Sequence, residues 1–113
     1  MGKEKRDQGE RIDVELLVDY NSGGNYLFDF CKDLGAGGIF IASEQPKEAG
    51  EDIELTFTIP DSKETLKLNG KVMWSQKPSA SQSNPGMGVQ FTDYDTEDRK
   101  SLESFVKRYS KKA

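Results

Sequence analysis

From Arg11 onward the chain alternates: Ile12, Val14, Leu16 and Val18 are apolar, while Asp13, Glu15 and Asp19 are charged. A period of two puts each set on its own face, so this segment reads as a strand with one wet side. Asn21-Ser22-Gly23-Gly24 marks a turn, because Asn and Gly tolerate positive φ. Tyr26, Phe28 and Phe30 then alternate with Leu27, Asp29 and Cys31 in a second strand. A glycine-rich connection from Asp33 to Gly38 leads into a short third strand at Gly37–Ala42. The fourth strand, Ile53–Ile59, carries Ile53, Leu55, Phe57 and Ile59 on one face. The fifth runs from Thr65 to about Gln76 with Leu66, Leu68, Gly70, Val72 and Trp74 in phase, which assigns Trp74 to the core. Gly70 on that apolar face marks a bulge or a tight barrel bend. The sixth, Gly86–Thr92, turns Met87, Val89 and Phe91 inward.

One helical pattern closes the chain. Leu102, Phe105, Val106 and Tyr109 share a helical face over about Thr96–Tyr109, with Asp95 or Thr96 as the cap. Short strands divided by turn signals predict an all-β fold with one helix: a six-stranded antiparallel barrel plus a C-terminal α-helix that covers an opening or packs on the wall. Residues 1–10 are polar and without periodicity, and read as a flexible charged N-terminal arm. Residues 11–113 read as one barrel domain with its helix.

Composition narrows the chemistry. The chain has no histidine, which removes the commonest general base and metal ligand. Its one cysteine, Cys31, has no base to activate it and no partner for an internal disulfide, and reads as a small core side chain. With no triad and no metal constellation, an enzyme is not expected. The net charge of −4 and the gathering of Lys and Arg at the two ends (Lys3, Lys5, Arg6 and Arg11; Lys107, Arg108, Lys111 and Lys112) argue against nucleic acid. No apolar run is long enough to span a membrane and the N-terminus lacks an apolar signal region, so the expected setting is cytoplasmic, without membrane insertion. The acidic run Asp93, Asp95, Glu97 and Asp98 suits the start of a helix and lacks calcium-loop spacing.

The Asp33–Gly38 connection has two readings. Neither the dinucleotide fingerprint nor the Walker pattern is present, since Phe40 stands where a third glycine is needed and no Gly-Lys-Ser/Thr follows. The stretch is either a hairpin connection, its glycines supplying backbone freedom, or a small polar site. In the second reading the Asp33 carboxylate accepts from a guanine edge and bare backbone admits a ligand closely.

Asp33-Leu34-Gly35-Ala36-Gly37-Gly38-Ile39-Phe40-Ile41, Arg11 before the first strand, Gly70-Lys71-Val72-Met73-Trp74 and Pro85-Gly86-Met87-Gly88-Val89-Gln90-Phe91 together resemble the PilZ family. These are small bacterial β-barrels, and the last two motifs are close to a branch abundant in deltaproteobacteria. The resemblance covers Arg11 to Tyr109. It implies a cyclic di-GMP site built from Arg-x-x-x-Arg in the arm just before the first strand and Asp/Asn-x-Ser-x-x-Gly at the end of the second strand. Arg11 matches the second arginine, and Asp33 and Gly38 match the ends of the second motif. The first arginine position holds Asp7, with Arg6 one residue out of register, and the serine position holds Gly35. The lost hydroxyl is worth about 0.5–1.5 kcal/mol. With a carboxylate in place of a cation, the combined loss is about 3 kcal/mol, or roughly a hundredfold in affinity. The resemblance therefore implies a signalling adaptor that contacts a protein partner in control of motility or surface behaviour, with weak or absent cyclic di-GMP binding and no other cofactor. The alternative is a working cyclic di-GMP receptor using Arg6, Arg11 and Asp33.

Overall fold

The computed structural model describes residues 11–60, 62–79, 84–93 and 96–110. The N-terminal arm at 1–10, with Arg6 and Asp7, and the cap candidate Asp95 lie outside them. Six strands form in chain order: β1 (Arg11–Ser22), β2 (Asn25–Gly35), β3 (Gly38–Ala42), β4 (Asp52–Thr58), β5 (Thr65–Gln76) and β6 (Gly86–Asp93). They close into a barrel in the order β1-β2-β3-β6-β5-β4, every neighbouring pair antiparallel. Helix α1 (Thr96–Ser110) follows and packs on β1 and β2.

The alternation read from the sequence becomes the barrel interior. Val18 and Tyr20 of β1, Ile39 and Ile41 of β3, Leu55 and Phe57 of β4 and Leu66 and Leu68 of β5 are all buried. Helix α1 adds Leu102, Phe105 and Val106, and Ser101 Oγ lies 3.1 Å from Glu64 Oε2 in the β4–β5 turn. The β1–β2 turn is a two-residue hairpin in which Gly23 and Gly24 have φ of 63° and 91°, the positive pair that matches strand twist. At Gly70 the β5–β6 register shifts, as the interior glycine suggested. A Cβ there would sit 2.6 Å from Val89 Cγ1.

Two readings need correction. Trp74 is not core: it is 47% exposed, and Met73 beside it is 52% exposed. A second register shift between Val72 and Trp74 breaks the alternation and turns the indole outward. In the Asp33–Gly38 connection, no glycine has positive φ. Gly38 serves instead by close approach, since a Cβ on it would meet the Val89 carbonyl oxygen at 2.6 Å.

β2 also outruns β3. The β1–β2 ladder reaches Ser22–Asn25, whereas the β2–β3 ladder spans only Cys31 to Leu34.

Candidate functional site

Four residues occupy successive register positions across four adjacent strands. Asp33 of β2 pairs with Phe40 of β3, Phe40 with Gly88 of β6, and Gly88 with Trp74 of β5. Arg11, opposite Gly35 at the start of β1, reaches diagonally to Asp33. These residues line one open groove of about 480 Å³, with Gly38 and Met73 also on its walls.

The groove has a polar end and an aromatic end. At the polar end Arg11 Nε donates to Asp33 Oδ1 at 2.9 Å, both side chains partly exposed. At the aromatic end Phe40 and Trp74 stack with centroids 5.6 Å apart and planes 21° from parallel. Gly88 lies between them in the register, and a Cβ on it would collide with the indole. The charged lining among the described residues is one guanidinium and one carboxylate, so this part of the groove is electrically balanced.

Arg11, Asp33 and Gly38 are thus brought together as the sequence motif implied. Gly35 is not on the groove wall; it is buried in β2 opposite Arg11. Arg6 is outside the described residues. Phe40, Met73, Trp74 and Gly88 were not anticipated as site residues. Met73, Trp74 and Gly88 stood in the sequence as fold-marking motifs, and the bulge that turns Trp74 outward leaves no trace in the alternation.

The wall offers what a purine nucleotide would use in part: an aromatic surface for stacking, an acceptor for a base edge and one guanidinium for a phosphate. The guanidinium already shares its Nε–H with Asp33, leaving its terminal N–H groups for a ligand.

Cys31 and Tyr20 lie inside the barrel rather than in the groove. Burial pushes the Cys31 thiol up to about 12. Tyr20 is likewise raised to about 12, chiefly by burial and then by its hydrogen bond to Asp29 Oδ2 at 2.6 Å. Both groups are therefore protonated at neutral pH, and Cys31 is no nucleophile. No cluster of His, Cys, Asp and Glu suited to a metal occurs among the described residues. None of their helices is long and apolar enough to cross a membrane.

Residues 4–108 match the family model of the PilZ domain. No curated protein sequence matches the chain. Among solved structures, the Bacillus subtilis inhibitor of motility MotI/DgrA superposes with a TM-score of 0.79 at 17% identity, over 91% of this chain and 50% of that one. The chain therefore spans half the length of that protein. The PilZ domain of Escherichia coli YcgR with c-di-GMP gives a TM-score of 0.71 at 11% identity, over 90% of this chain and 89% of that one. The Borreliella burgdorferi PlzA protein in complex with c-di-GMP gives 0.60 at 10% identity, over 96% and 54%.

Proposed function

This chain belongs to the PilZ family, whose domains are binding and adaptor modules rather than enzymes, and from that premise we propose that it is a cytoplasmic bacterial signalling adaptor. It acts through contacts with a protein partner, in control of motility or surface behaviour, and binds cyclic di-GMP weakly or not at all. The observation that carries this reading is the Arg11–Asp33 ion pair. It is the groove's one cation among the described residues and it is matched by a carboxylate. Among the described residues a dianionic nucleotide entering there meets no net positive charge, and the first arginine position of the motif, which would supply one, holds Asp7 in the sequence. The motility assignment draws on the likeness in fold to the inhibitor of motility MotI/DgrA.

A second reading, a working receptor, is favoured by the convergence of Arg11, Asp33 and Gly38 on one groove and by the two c-di-GMP complexes among the structural neighbours. Calorimetric titration of cyclic di-GMP into the protein separates the two. The adaptor reading expects no saturable heat below roughly 100 µM nucleotide, which is about −5.5 kcal/mol of binding free energy. Saturation in the low micromolar range selects the receptor instead.

A further inference from the structure

The outer face of β2 carries a row of aromatic side chains that the barrel does not use. Tyr26 is 74% exposed, Phe28 62% and Phe30 46%, and Leu17, opposite Phe30 on β1, is 52% exposed. A contiguous apolar row of this kind on a small soluble domain is the signature of a docking face. Beside it the ladder is open. Asn25–Phe30 have one neighbouring strand among the described pairings, β1, because β3 joins β2 only from Cys31 onward. Every other residue of that stretch therefore directs its backbone N–H and C=O outward, the template on which an extended chain adds as a further strand.

The charge around this edge is acidic. Where β3 leaves β2 there is a cleft of about 310 Å³ lined in part by Asp29, Lys32, Ser43 and Glu44. The Lys32 ammonium is held by Glu15 at 3.0 Å, and Asp29 spends one oxygen on Tyr20. That leaves an Asp29 oxygen and the exposed Glu44 carboxylate facing the cleft. Asp19, in register with Phe28, and Glu54 extend the acidic border on the other side.

We propose that the open edge of β2 receives an extended segment of another protein in which apolar residues alternate with Lys or Arg. Its backbone pairs with Asn25–Phe30, its apolar side chains lie on Tyr26, Phe28 and Phe30, and a cation enters the Asp29–Glu44 cleft. A second copy of this chain is disfavoured as the occupant. An isologous pair would bring two copies of the same acidic edge, each with Asp29 and Glu44, together between two chains that each carry −4. The inference rests on the adaptor reading, and the two fail at different places in the molecule: the reading at the Arg11–Asp33 groove, the inference at the β2 edge.

The test is amide NMR of the full isotope-labelled chain. It is titrated separately with a blocked nine-residue peptide alternating Lys and Val, with its Glu and Val counterpart, and with cyclic di-GMP. The proposal expects shifts from the Lys peptide concentrated at 25–30 and 43–44 and none from the Glu peptide. Binding should weaken at least fivefold in Glu44→Lys and at least fivefold in Phe28→Ser, both exposed positions where the fold is kept. Silence of 25–30 at millimolar Lys peptide overturns the proposal. So do equal responses to the two peptides, or self-association in sedimentation that Phe28→Ser abolishes. Large shifts at Arg11, Asp33 and Gly38 with micromolar cyclic di-GMP overturn the adaptor reading alone.

Discussion

Phe40 and Trp74 sit on strands that are not neighbours, yet their rings stack at 5.6 Å. Adjacent strands lie about 4.8 Å apart, so two strands separate the backbones by roughly 10 Å. The rings meet because the position between them is Gly88, which has no side chain to hold them apart.

Gly88→Ala should therefore open the aromatic end of the groove. Overpacking of this kind costs about 1–3 kcal/mol. Trp74 is the sole tryptophan, so its emission reports the site directly. The expected result is a shifted emission spectrum together with a lower unfolding midpoint. An unchanged spectrum in the folded variant would mean the indole does not rest over Gly88.

Helix α1 belongs to the barrel core rather than to a partner. Phe105 is 1% exposed and packs on Tyr109 with centroids 4.7 Å apart, between Leu102 and Val106 of the same buried face. Phe105→Ala should destabilise the isolated protein by about 3–5 kcal/mol in denaturant unfolding. A loss below about 1 kcal/mol would show that the helix is detachable.

Tyr20 and Cys31 give the barrel an alkaline limit. Both have folded pKa values raised to about 12, from ordinary values of 10.0 and 9.0, with burial as the largest cause. A proton held more tightly in the folded state stabilises it fully below the unfolded pKa, and that contribution fades as pH rises toward the folded one. Stability should hold to about pH 9 and decline between there and pH 12. Tyr20→Phe should flatten the part of the decline above pH 10, as read from denaturant midpoints across the range. The same burial predicts that Cys31 reacts with a thiol reagent no faster than the protein opens; prompt labelling at pH 8 would contradict it.

The strands and the helix were legible because a half-buried strand and an amphipathic helix write their faces into the sequence. Ile53, Leu55, Phe57 and Ile59 alternate and are all buried, and Leu102, Phe105 and Val106 share one helical face and are buried too. The bulge at Gly70 was legible for a related reason, since a glycine on a core face needs an explanation. The bulge after Val72 carries no such mark. One extra residue there flips Trp74 from the core phase to the groove, and alternation alone places it on the wrong side. The aromatic row of β2 was hidden differently. Tyr26, Phe28 and Phe30 look like a core face by hydrophobicity, and only the buried Cys31 shows which phase points inward. At the ligand site, Arg11, Asp33 and Gly38 were read from motif spacing. Gly35 belonged to the same motif and pairs with Arg11 in the β1–β2 ladder, so it shares the face of Arg11, but without a side chain it does not itself line the groove.

On the proposed adaptor reading, the family's nucleotide groove is kept here and its affinity is impaired at Asp7 and Gly35. The most direct measurement is calorimetric titration of cyclic di-GMP into the protein and into the double variant Asp7→Arg, Gly35→Ser. Gly35 has no positive φ, so a serine there meets no left-handed backbone strain. The variant exchanges a carboxylate for a bidentate cation and restores a hydroxyl, for an expected gain of about 3 kcal/mol, or roughly a hundredfold in affinity. Weak or undetectable binding by the protein and clear saturation by the variant are expected, with matching thermal melts to show that both are folded. Tight binding by the unaltered protein, or a folded double variant that remains silent, would contradict that reading.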